Sequence, residues 1–201
     1  MTACSPSESS QCCGRPADRA DRLTTFSSIV QDYRDHYDND KTDQESWFGL
    51  ECKSLGEAIA RATASKLRHG NYNSHQRRIN KSVFGSAERA LLKIESQFAA
   101  TATFDDVLRL VDTALKGISG AGELFRYDVA DRIGCYLKLR PDQIYLHAGV
   151  RIGVENLGLG VSQTSISLSE LNGRFENLSA PEIENLLCIY KDQMKLLRRQ
   201  L

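Results

Sequence analysis

The chain has 201 residues, of which 41% are hydrophobic and 26% charged, proportions that exclude a disordered, collagen-like or membrane-embedded class. Its 26 Lys and Arg balance 26 Asp and Glu, which excludes a surface devoted as a whole to nucleic acid and leaves only local asymmetry to serve such a partner. The apolar runs fall far short of the roughly 20 residues that span a bilayer, and the first residues lack the basic and apolar regions of a secretory leader, so a cytoplasmic location and no membrane partner are expected.

Residues 1–19 are rich in Ser, Pro, Gly and Cys and have no periodicity, so they read as a disordered tail ahead of one helical domain over 20–201. Leu23, Phe26, Ile29, Val30 and Tyr33 recur at helical spacing and predict a first helix over about 20–34. Between 32 and 51 seven acidic residues face two basic ones, and the stretch 35–46 reads as a solvated acidic linker. It lacks the glycine and terminal Glu of a calcium loop.

Ser54 followed by Glu57 is a capping-box signature and opens a helix to about residue 68. Ser74 is expected to cap a longer helix, with Ile79, Val83, Ala87, Leu91 and Phe98 inward. Thr103 and Asp106 open the next, which ends at Lys116-Gly117. After the turn GISGAG, the spacing of Leu124, Tyr127, Ala130, Ile133 and Leu137 predicts a helix that stops before Arg140-Pro141. The short connection PDQIYLH leads to an inner helix marked by Val150, Ile152, Val154 and Leu157. A Ser-rich loop then precedes a closing helix, opened by Ser179, Pro181 and Glu182. No segment alternates as a strand does, so the fold class is all-α in a single compact domain.

Six cysteines are scattered without a CxxC pair or a Cys/His spacing suited to tetrahedral zinc, so free thiols, no metal and no cofactor are expected. Charge is more informative. Over 66–93 seven basic residues face only Glu88, and Arg77, Lys81, Arg89 and Lys93 fall four or eight apart on one helical face. With His75 and Arg78 at its start, this face suits phosphates; the alternatives are a solvated face or one neutralised by the acidic stretch. Asp128 and Arg132, four apart, read as an ordinary helical ion pair.

The stretch 115–153 joins a Gly-rich turn, an amphipathic run, a Pro break and the cluster Tyr145, His147, Arg151. A Gly-rich turn at a helix start gathers backbone N–H groups where the helix dipole also favours an anion. VDTALKGISGAGEL resembles the helix-hairpin-helix motif, and PDQIYLHAGVRIG is similar in order to the segment that follows the hairpin in helix-hairpin-helix DNA glycosylases. The resemblance implies that Lys116, Gly117, Gly120, Gly122 and Arg126 hold a DNA backbone phosphate without reading sequence, with Arg151 shortly beyond the catalytic position. At the family's catalytic aspartate this chain carries Leu146 or His147, and no aspartate occurs between Asp142 and Asp192. The iron-sulfur cysteine cluster of some members is missing as well.

Three readings follow. In the first, DNA is the partner of a non-enzymatic module that uses the 117–122 turn together with His75, Arg77, Arg78, Lys81 and Arg89. In the second, a glycosylase-like enzyme has altered chemistry at His147 and Tyr145, with Arg151 contacting the nucleic acid in the same pocket beside the hairpin. In the third, the same residues are architectural in a protein-interaction domain: the glycines make a tight turn and His147 is a hydrogen-bonded core or cap residue.

Overall fold

The computed structural model describes residues 23–171, 174, 175 and 177–198, so the expected tail over 1–19 lies outside the described residues. The described chain is mostly helical, with two very short strands, and no described helix is long and apolar enough to cross a membrane. It divides into two compact units, a central one over Lys41–Pro141 and a flanking one drawn from the described residues on either side.

Helix α1, Phe26–Glu45, contributes its last turn to the central unit and continues into a wide π-helical turn, Ser46–Leu50. The stretch 35–46, expected as an acidic linker, is therefore helical almost to its end. Local i,i+4 bonds support it, with Gln31 donating to Asp35 and His36 bonded to the Asp32 carbonyl, and buried Ile29 and Tyr33 tie the helix to a core. Past residue 34, Tyr37 stacks on Tyr33 and meets Tyr190 edge-on, and Asp43 pairs with Arg68, contacts that offset the poor helix propensity of Asp and Asn.

In the central unit α2, Leu55–Ala64, starts where Ser54 accepts from the Glu57 amide, and it ends at Ser65 in left-handed conformation. A 3-10 turn, Ser74–Gln76, and helix α3, Lys81–Leu92, follow. The helix expected to open at Ser74 thus starts later, at Asn80, whose side chain accepts from the Ser82 amide. Helix α4, Phe104–Leu115, carries the full Thr103/Asp106 capping box, and α5, Glu123–Leu137, closes on Lys138 in left-handed conformation. Phe48, Ile59, Leu91, Val107, Leu115 and Ile133 are fully or almost fully buried at the centre. Each such side chain contributes about 1.5–3 kcal/mol relative to leaving it in water.

The flanking unit holds the first part of α1, the strand pair β1, Ile144–Tyr145, and β2, Ser165–Ile166, and helices α6, Ala148–Leu157, α7, Ala180–Ile189, and α8, Met194–Leu197. The strands pair antiparallel, Ile144 with Ile166 and Tyr145 with Ser165, β1 within the expected short connection and β2 within the expected Ser-rich loop. Ser179 and Glu182 form the capping box read from the sequence. Helices α6 and α7 approach closely because Gly149 and Gly153 face α7 one turn apart. A Cβ at Gly149 would strike Cys188 Sγ, and one at Gly153 would strike the Leu187 carbonyl oxygen. Gly153→Ala is therefore expected to destabilise this unit by about 1–3 kcal/mol through overpacking, read as a lower urea midpoint; an unchanged midpoint would contradict the close approach.

Candidate nucleic-acid interface

The central unit is organised around Arg132 of α5, which is only 3% exposed. A guanidinium in that position has to have its N–H groups satisfied inside the protein. One nitrogen, Nη1, donates to the Ala62 carbonyl (3.1 Å), to Ser65 Oγ (3.2 Å) and to Gln76 Oε1 (3.1 Å). The ion pair with Asp128 expected from the spacing is long, 3.9 Å, because Asp128 Oδ2 also binds His75 Nε2 at 2.5 Å and accepts from Gln76 Nε2. Burial pushes the Arg132 pKa down, and Asp128, followed by Asp131, acts in the opposite sense.

These contacts have a local consequence. His75 and Gln76 are held against α5, so the backbone at 74–76 is a 3-10 turn instead of the first turn of a long helix. The chain then turns through Arg77 and Arg78, both exposed, and enters α3 at Lys81, also exposed. Arg77 stands outside the helix and does not share its face, while Lys81 and Arg89 lie eight residues apart along α3 as expected. Arg89 is exposed and donates to Ser86 Oγ at 3.3 Å.

The Gly-rich turn lies against the start of α3. Gly120, at φ +90°, sits so close to Val83 that a Cβ there would come within 2.9 Å of Val83 Cγ2. This brings the 116–122 turn against the first turn of α3 on the face of Val83, while Lys81, two residues earlier, lies on another side of that turn. Lys116 and Gly117 are exposed at one end of the turn and Gly122 at the other. Gly122 is the N-cap of α5 and provides no side-chain cap, so the first-turn N–H groups of α5 lack the side-chain acceptor that α2, α3 and α4 possess. Arg126 reaches back from α5, with Nε donating to Asp112 Oδ1 and Nη1 donating to the Ala121 carbonyl, both at 2.6 Å.

The remaining basic residues of the stretch divide into paired and unpaired. Arg68 pairs with Asp43 (3.2 Å) and Glu51 (2.5 Å), so the acidic stretch does neutralise one member of the basic run. Among the described residues Arg77, Arg78, Lys81 and Lys116 have no ion-pair partner. Among the described residues, the contact of Gly120 with Val83 joins the predicted site segments: it packs the glycine turn against α3, the helix that Arg77, Arg78 and Lys81 lead into. The structure holds His75 in the neighbouring buried network.

Tyr145, His147 and Arg151 belong to the flanking unit, so His75 and Arg78 sit in one unit and His147 and Arg151 in the other. His147 caps α6 and is buried, its Nε2 2.7 Å from Glu184 Oε1, while Glu184 Oε2 accepts from the Tyr145 amide at 3.3 Å. Tyr145 is buried in β1, its hydroxyl accepting from Gln143 Nε2. Arg151 donates to the Val161 and Leu146 carbonyls at 2.5 and 2.7 Å, closing the loop between α6 and β2 onto β1. Glu184 escaped the sequence reading, although it offers one signal: a charged residue beside Ile183 and one turn before Leu187, on the apolar stripe of α7.

Other chemistry finds little support among the described residues. No group of three or more His, Cys, Asp and Glu is arranged to hold a metal. Burial pushes the Cys135 thiol up to about 12 and raises that of Cys52, which keeps both in the unreactive thiol form. A cavity of about 650 Å³ opens between the 3-10 turn Glu95–Ala100 and α4, lined by residues such as Ile94, Arg109 and Leu110, and no residue predicted as a site lines it. No protein-family model, no curated protein and no solved structure matches this chain.

Asp128→Ala removes the acceptor shared by His75 and Gln76 and the nearest carboxylate to Arg132. The expected result is a loss of about 3 kcal/mol in central-unit stability, measured by chemical denaturation. A change within error would show that Arg132 and the 74–76 turn do not depend on Asp128.

Proposed function

We propose that the central unit is a nucleic-acid-binding module that grips DNA backbone phosphates with Arg77, Arg78, Lys81 and Lys116 and with the first-turn amides of α5. One observation carries this reading: the contact of Gly120 with Val83 packs the turn that leads to the start of α5, which has no side-chain cap, against α3, whose entry carries exposed cations with no ion-pair partner among the described residues. A phosphate meets hydrogen-bond donors from the turn and positive charge from α3 and the residues before it. Contacts of this kind fix position on the duplex and do not read bases, so the binding is insensitive to sequence.

A module is favoured over a base-modifying enzyme because the residues offered for chemistry, Tyr145 and His147, are buried and engaged with Gln143 and Glu184. A cytoplasmic setting belongs to the same proposal. Its support is that Cys52 and Cys135 are free thiols, the state a reducing compartment maintains.

With four cations on phosphates, affinity is expected to fall about 100-fold between roughly 50 and 200 mM salt, a slope near −3.6 in log units. Arg78→Ala is expected to weaken binding to every sequence alike and to reduce that slope by about 0.9. Fluorescence anisotropy with short duplex and single-stranded DNA measures both quantities. Absence of binding to either at low salt disproves the reading.

A further inference from the structure

Three glycines in seven residues give the 116–122 turn a large conformational freedom to lose on folding. Packing restrains little of it. A Cβ added at Gly117 or at Gly122 would meet nothing within 4 Å, and of the three glycines only Gly120 lies against a neighbour, Val83. Ala121 is itself buried, so packing holds that part of the turn, and order at the exposed glycines at its ends must come from hydrogen bonds. Two run within its backbone, from the Ile118 amide to the Leu115 carbonyl and from the Ala121 amide to the Ile118 carbonyl.

A third set converges on Arg126 and Asp112. The Asp112 carbonyl on α4 accepts the Lys116 amide at 2.9 Å, and its carboxylate takes Arg126 Nε at 2.6 Å. Arg126 Nη1 then holds the carbonyl of Ala121, the last residue before the N-cap of α5. One end of the turn is tied to Asp112 directly and the other through Arg126. The Arg126 side chain is 19% exposed and that of Asp112 48%. Paired with a carboxylate at this distance, Arg126 brings almost no net charge to an approaching phosphate, although sequence position makes it the obvious ligand.

We propose that Arg126 is a positioning residue, which with Asp112 holds the turn in the conformation that presents Lys116 and the first turn of α5 to a phosphate. The inference rests on the reading that this surface takes phosphates, and it reassigns Arg126 from contact to support.

The sign of one substitution separates the two roles. Asp112 is an acidic residue beside a basic surface, so if it had no positioning role its removal would strengthen DNA binding. As a positioning residue its removal weakens binding. Asp112→Ala and Arg126→Ala in the full chain are each expected to weaken binding of a short DNA duplex about tenfold, as the turn is formed only a tenth of the time. Both are expected to leave the salt slope unchanged, whereas Lys116→Ala lowers it by about 0.9. Without DNA, hydrogen exchange at the Ile118 and Ala121 amides is expected to speed up in both variants while α2 amides keep their rates. Arg126→Lys keeps the charge and the fold but cannot serve both acceptors, and it is expected to behave like Arg126→Ala.

Tighter binding by Asp112→Ala, or a lower slope in Arg126→Ala, makes Arg126 a phosphate ligand and overturns the inference while the surface stands. Unchanged exchange at Ile118 and Ala121 overturns it without reference to DNA. Absence of binding by the unaltered chain removes the surface itself, and the positioning role with it.

Discussion

A charge buried in the central unit sets the terms for everything around it. Arg132 cannot lose its proton under ordinary conditions and cannot reach water, so the fold has to deliver acceptors to it. They come from the end of α2 through Ala62 and Ser65 and from the 74–76 turn through Gln76, while Asp128 of α5 adds a longer ion pair. Because Gln76 and His75 both reach Asp128, the chain is pinned there and must leave the network at Arg77. The exposed cations at 77, 78 and 81 are placed by a buried one.

The same arrangement explains how a chain of zero net charge carries a usable electrostatic asymmetry. Opposite charges close in sequence do not simply cancel. Arg68 is drawn to Asp43 and Glu51, Arg61 to Glu57, and Arg126 to Asp112, and each such pair supports a turn or a helix end. Arg77, Arg78, Lys81 and Lys116 are among the cations with no ion-pair partner among the described residues. Exposed pairs of this kind contribute little stability individually. Their larger effect is to decide which positive charges stay free for a polyanion.

The parts of the fold legible in the sequence are those governed by contacts a few residues apart. Ser54, Thr103 and Ser179 each announced a helix start, and all three cap one, because a cap is a bond across three residues. The start of α3 was misplaced at Ser74 for the opposite reason. What decides the backbone there is Asp128, more than 50 residues away, and no local pattern encodes that contact. Helix α1 outran its expected end because Tyr37, beyond that end, stacks on Tyr33 and meets Tyr190 edge-on, and Asp43 is held by Arg68, far along the chain. Of the site, the individual basic residues and the glycine turn could be named from sequence, but not that Gly120 would lie on Val83, nor that His147 would find Glu184 in α7. Arg126 shows the limit most clearly: its position beside the turn was readable, and its partner Asp112 was not.

The account depends on two segments of the central unit, 77–81 and 116–125, acting as one surface. An amide-resolved NMR titration of the whole chain with a short DNA duplex at low salt tests this directly. The account predicts progressive shifts in both segments together, fading as salt is raised. Shifts confined to one segment, or centred on Tyr145, His147 and Arg151 of the flanking unit, would contradict it.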